Sequence, residues 1–267
     1  MDGKNISIEY RFAEGHPDRL PKLAAELVQL KVDVIFSPSS LPAQAAKEAT
    51  STLPIVFATV GDPVGNGLVA SLARPGGNIT GTSIMSPELG PKRLELLKET
   101  VPKISRVAVL PSADRGAKIY SDEIQIAAKQ LGIETLSTQI NSQDDVNQAT
   151  AQLRKWRADS MYVIETATNA LNRVLLAEFA MQMRLPLICG SSAYAEAGAL
   201  MSYGANYPDG YKRAAALVGK ILKGAKPADI PVEQPTKFEL IINMKTAKAL
   251  GIKFPNSILV RVTKVIE

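Results

Sequence analysis

VDVIFSPSSLPAQAAKEATSTLPIVF, residues 32–57, decides the fold. It opens on an apolar, β-branched run, VDVIFS, and turns through SPSS. It continues in SLPAQAAKEATS, which reads as a short helix, and closes on a second apolar run, LPIVF. Near-continuous apolar runs separated by a helix mark strands of a parallel sheet covered on both faces. A second stretch repeats the order: ADSMYVIETATNALNRVLLAEFAMQMRLPLIC, residues 158–189. Each runs Asp, apolar strand, Ser/Thr-rich turn, helix, then Leu-Pro before the next strand. Asp33 to Pro54 spans 21 residues and Asp159 to Pro186 spans 27. The difference is about one and two-thirds helical turns. Two similar α/β lobes are expected.

The rest of the chain keeps this rhythm. RLPKLAAELVQLK places Leu20, Leu23, Ala24, Leu27 and Val28 on one helix face. ELGPKRLELLKETVP, AKIYSDEIQIAAKQLG and DDVNQATAQLRKW also read as helices, the second closing on Gly132 as a C-cap. RVAVLPS and IETLSTQI read as strands. In open α/β sheets ligands bind beyond the carboxyl ends of the strands. The loops that follow the strands here are small and polar: SPSS (37–40), TVGDP (59–63), PSADRG (111–116), ETATN (165–169) and GSSAY (190–194). If the two lobes face each other, all five line one cleft.

Composition narrows the function. The 267 residues are 46% hydrophobic and 21% charged, which is enough to bury a sizeable core. The net charge of +5 arises in the C-terminal quarter: residues 1–200 carry −1 and residues 201–267 carry +6. Its lysines are spaced singly, as in GKILKGAKP, which reads as solvated helix faces rather than a nucleic-acid surface. Docking of a partner is the alternative role of that quarter. Cys189 is the single cysteine, so no intrachain disulfide forms. The polar, strand-like opening MDGKNISIEY is not a signal peptide.

Catalytic motifs are poor. GNGLVA, Gly65–Ala70, spells a dinucleotide fingerprint, but Gly65 lies several residues beyond LPIVF and Pro63 intervenes. Its glycines read instead as tight turns. His16, the only histidine, precedes the first helix. GSSA at 190–193 lacks the second glycine of a nucleophile elbow. One His and one Cys do not make a metal site of the usual kind. What remains suits a small polar ligand held by hydrogen bonds and left unchanged. No cofactor, metal or enzymatic activity is expected. An α/β enzyme using a nucleotide or dinucleotide is the rival, and a ligand sensor of the same fold is another.

Three blocks carry a resemblance: FATVGDPVGNGLVASLARPGGNITG, PKRLELLKETVP and VEQPTKFELIINMKTAKALGIKFPNSILVRVTKVIE. They resemble bacterial ABC-transporter substrate-binding proteins of the group that includes tryptophan and other aromatic amino-acid binders. The likeness runs from IEYRFAEG to the final VIE. It implies the type I periplasmic-binding-protein fold: two doubly wound parallel-sheet lobes, a hinge of three crossovers, and a ligand between. It implies a first lobe of residues 1–84 with about 206–234, and a second of 85–205 with about 235–267. It also implies an ABC permease partner, a periplasmic or extracytoplasmic location, and an amino acid or related aromatic or organic acid as ligand. The family's export signal, first strand and first helix have no counterpart here. A missing central strand leaves two unpaired edges, so domain exchange, dimerisation or a rearranged first sheet is expected.

Ligand contacts are expected at Ser39, Ser40 and Asp62 in the first lobe. In the second they are expected at Asp114, Thr166, Asn169, Ser191 and Ser192, with Tyr203 and Asn206 near a crossover. Asp62 and Asp114 suit an ammonium group. Each Ser, Thr or Asn has helix capping as its structural alternative, and Tyr203 has a core position as its own.

Overall fold

The computed structural model describes residues 5–111 and 117–267. The chain divides into two compact units, Met1–Ser83 with Gly210–Glu233 and Ile84–Asp209 with Gln234–Glu267. It therefore passes from one to the other three times.

In the first unit a short 3-10 turn, Pro17–Arg19, leads into α1 (Leu20–Gln29). There follow β1 (Ile35–Ser37), α2 (Ser40–Ala49), β2 (Ile55–Val60) and β3 (Ile79–Ser83). The strands form a parallel sheet in the order β1-β2-β3. All six residues of β2 are buried, as its unbroken apolar run dictates. One face of the sheet packs Ile35, Ile55, Phe57 and Ile79 against Ala43, Ala46 and Leu68. Residues 7–13, strand-like in sequence, form neither strand nor helix. Ile6, just before them, and Ile8, Tyr10 and Phe12 among them stand 41%, 46%, 59% and 67% exposed.

The second unit runs α3 (Ser86–Thr100), β4 (Arg106–Leu110), α4 (Ala117–Gln130), β5 (Glu134–Ser137) and α5 (Asp145–Trp156). It continues through β6 (Ser160–Val163), α6 (Ala167–Leu171), α7 (Arg173–Gln182), β7 (Leu187–Cys189), α8 (Ser192–Ala197) and β8 (Met201–Ala205). Helix α9 (Tyr207–Ile221) starts here and from Gly210 belongs to the first unit, where Ala214, Leu217 and Ile221 cover Val56 and Ala58 of β2. The returning chain adds β9 (Phe238–Asn243), α10 (Met244–Leu250), α11 (Asn256–Leu259) and β10 (Lys264–Ile266). The sheet order is β10-β9-β8-β7-β6-β4-β5.

Two details differ from the periodicity reading. The sheet is not wholly parallel: β9 lies antiparallel to β8, with Ala205 opposite Phe238. The chain leaves the unit at the end of β8 and re-enters beside it, so it can only run back. The helix expected over NALNRVLLAEFAMQMR is two, broken at Asn172. The Asn172 side-chain amide donates to Asn141 O at 2.9 Å, a bond that fixes the break. Strand β5 pairs only with β4 among the described strands and is short and half-exposed, as an edge strand should be. No helix among the described residues is long and apolar enough to cross a membrane.

Strands β7 and β8 approach closely at their carboxyl ends. A Cβ on Gly204 would collide with the backbone carbonyl of Gly190, so glycine is required there by space. Gly204→Ala should lower unfolding free energy by about 3 kcal/mol, an overpacking cost. Gly219→Ala serves as the control. Gly219 lies inside α9, and a Cβ there would meet nothing within 4 Å, so that change should stabilise by about 0.5–1 kcal/mol. Urea titration of both variants checks the contrast.

Candidate functional site

At the carboxyl ends of β1–β3 the first unit gathers three loops. Ser39 is the N-cap of α2 without a side-chain capping bond, and Ser40 opens the helix. Asn66 Nδ2 donates to Ser40 Oγ at 3.4 Å, and Asp62 Oδ1 accepts the Gly65 N–H at 2.8 Å. Thr59, inside β2, has φ +55°, a costly conformation for a β-branched residue. It is held by a bond from its N–H to Thr82 Oγ1 (3.1 Å) and from its hydroxyl to Pro38 O (3.3 Å). The β2–β3 register shifts at this point. Tyr211 adds a hydroxyl bond to Pro38 O at 3.2 Å. The Gly65–Ala70 motif is a compact turn, with Leu68 N bonded to Pro63 O at 2.9 Å. No helix follows it before β3, so the helix N-terminus that a dinucleotide phosphate needs is missing from that place.

The second unit builds its site on a buried ion pair. Arg93 of α3 and Glu165, just past β6, have side chains only 2% and 5% exposed, and Arg93 Nη1 lies 3.2 Å from Glu165 Oε2. Arg93 Nη1 also donates to the Tyr162 hydroxyl at 2.9 Å, and its Nε to Tyr203 O at 2.7 Å. The other carboxylate oxygen, Oε1, accepts the Gly190 N–H at the end of β7. Burial works against the Arg93 charge, but Glu165 and Tyr162 outweigh it and push the guanidinium above its ordinary value. Burial pushes the Tyr162 phenol up to about 12, with Arg93 opposing.

Around this floor stand half-buried polar groups. Thr166 caps α6 through a 3.2 Å bond from Asn169 N, and Ser191 caps α8 through one of 3.4 Å from Ala193 N. Ser192 is the first residue of α8. Asn206 accepts from Asp209 N and donates to Glu239 Oε1, both at 2.9 Å. Asn169 is turned inward: 1% exposed, it donates to Leu110 O (3.0 Å) and Ile164 O (2.9 Å), tying β4 to β6. Tyr203 gives its carbonyl to Arg93, and its partly buried ring packs on the core 6.1 Å from that of Phe238. Asp114 lies outside the described residues.

Periodicity did not find Arg93 and Glu165 as partners. A signal existed: Leu89, Gly90, Leu96 and Leu97 flank Arg93 at three and four residues' distance and are all buried. A charge in the middle of an apolar helix stripe needs a buried counter-charge. Nucleophilic chemistry is not supported by what surrounds the pair. Cys189 is fully buried, and burial, with Glu165 adding to it, pushes its thiol well up, which disfavours the reactive thiolate. Among the described residues no group of three His, Cys, Asp or Glu could hold a metal ion.

A family model described as ABC transporter substrate binding protein matches residues 1–266. A tyrosine-binding protein of Clostridioides difficile (strain R20291) is 34% identical over 255 residues, covering 94% of this chain and 72% of that protein. The crystal structure of a conserved domain protein from Vibrio cholerae O1 biovar El Tor is 31% identical with a TM-score of 0.92, over 99% of this chain and 88% of that one. An ABC domain from Streptococcus pneumonia in complex with L-Trp is 27% identical with a TM-score of 0.92, over 99% and 89%.

Because Tyr162 is fully buried and its pKa rises from 10.0 to about 12, the folded state keeps a proton that the unfolded chain loses first. The resulting stability is whole below pH 10 and lost as pH climbs to about 12, up to about 3 kcal/mol. Urea midpoints measured from pH 9 to 12 should fall more steeply for the parent than for Tyr162→Phe.

Proposed function

We propose that this chain, which belongs to the ABC transporter substrate-binding protein family, holds an aromatic α-amino acid and releases it unchanged. The carrying observation is the whole-length family match joined to relatives that bind tyrosine and L-Trp. The site's chemistry agrees. It offers hydroxyls, amides and backbone N–H groups at the strand ends, beside an inert thiol. Such groups orient a ligand without reacting with it. Ser39, Ser40 and Asp62 of the first unit, and Thr166, Ser191, Ser192 and Asn206 of the second, are the proposed contacts. Asp62 is assigned to the ammonium. Asn169 and Tyr203 act behind them, through the backbone bonds each makes. The protein has no enzymatic role, works outside the cytoplasm, and hands its ligand to a permease.

The apolar stripe Ile6, Ile8, Tyr10 and Phe12 lies in a unit whose β1 has one strand neighbour, β2, among the described residues. A second copy of the chain is its proposed partner, docked side by side or by exchange of a strand.

Thermal melts with L-Tyr, L-Trp and L-Phe test the ligand, with L-Leu, L-Glu, NAD and ATP as controls. An aromatic amino acid at about 100 times its Kd should raise Tm by roughly 5–10 °C, and Asp62→Asn or Ser191→Ala should weaken binding about tenfold. Stabilisation by NAD or ATP alone would refute the reading. Sedimentation of the same samples should show a dimer that Tyr10→Glu with Phe12→Glu dissociates; a parent monomer at all concentrations would exclude the partner.

A further inference from the structure

We infer that Arg93 is the positioning residue of the Gly190–Ser192 turn, acting through Glu165. The relay is continuous. Arg93 of α3 binds one oxygen of Glu165, and the other oxygen takes the Gly190 N–H. Gly190 leads directly into Ser191 and Ser192, the cap and first residue of α8. The arm that does the holding is itself held, since Arg93 is tied to β6 through the Tyr162 hydroxyl and to β8 through Tyr203 O.

Space leaves the turn one place to go. A Cβ on Gly190 would overlap both the Arg93 guanidinium and the Glu165 carboxyl, and a Cβ on Gly204 would strike Gly190 O. The peptide before Gly190 is thus held by the ion pair through its N–H, and the peptide after it is bounded by β8 at its carbonyl.

Stability does not explain a charge pair here. Apolar side chains of similar size commonly serve a core as well as a buried ion pair, or better. A neutral acceptor for the Gly190 N–H would also satisfy that donor. A carboxylate makes a shorter, stronger bond, and the planar, forked guanidinium fixes the carboxylate's rotation in a way a flexible ammonium does not. Those are the properties of a device that sets an orientation. The functional part of this inference rests on the reading that Ser191 and Ser192 face the ligand.

The test is the double variant Arg93→Met with Glu165→Met, which removes both charges together. Because Tyr203 O, the Tyr162 hydroxyl and the Gly190 N–H lose these partners, its thermal midpoint should fall, so exchange at 190–192 is read relative to that of the β4 amides. Amide hydrogen exchange at residues 190–192 in the ligand-free protein should accelerate by about tenfold or more, and affinity for the best aromatic amino acid should fall by about tenfold. Arg93→Lys keeps the charge without the fork. It should show intermediate exchange and affinity, and it carries the test if the double variant does not fold. A folded variant whose exchange at 190–192 and affinity both stay within about twofold of the parent overturns the proposal. The exchange measurement needs no ligand. If the parent binds no aromatic amino acid, the functional reading fails, while the exchange result alone still decides whether Arg93 positions the turn.

Discussion

The ends of β7 and β8 meet backbone against backbone at Gly190 and Gly204, and the buried Arg93–Glu165 pair lies beneath that contact. The rest of the second unit's polar end depends on this constraint. Beside this contact, in the loops after β6 and β7, Thr166 and Ser191 cap their short helices. Asn169 adds a second strap by spending its amide on the carbonyls of Leu110 and Ile164.

The first unit reaches a comparable result by strain. Thr59 sits at a positive φ within a buried strand, which costs of order 1–3 kcal/mol. Three neighbours over-determine it: the Thr82 hydroxyl, the Pro38 carbonyl and the close-lying Gly210. At the β2–β3 register shift the Thr59 hydroxyl donates to Pro38 O, next to the Ser39–Ser40 start of α2. Both units therefore present polar loops at strand carboxyl ends, the place where sheets of this kind take ligands.

Much of this was legible in the chain. Apolar runs such as LPIVF and the i, i+3, i+4 spacing from Leu20 to Val28 mark elements found within a few residues of where they are read. The Ser/Thr-rich loops mark the polar ends of the sheets. Other features escaped for identifiable reasons. The direction of β9 follows from where the chain re-enters the unit, which no local pattern encodes. At the break, the Asn172 amide donates to a carbonyl 31 residues away. Asn169 reads as a loop amide, but burial turns it into a strap. Arg93 hides among surface-type lysines and glutamates, although its leucine neighbours place it on the buried stripe.

In the proposed reading an aromatic amino acid is held, chemically unchanged, at the carboxyl ends of these strands by a turn set in advance. The most direct measurement is a crystal structure grown with L-tyrosine. Intact tyrosine should stand with its polar groups within hydrogen-bond distance of the 190–192 turn, and the Arg93–Glu165 pair should be undisturbed. Tyrosine seated away from the strand carboxyl ends, or recovered as a different compound, would contradict the claim.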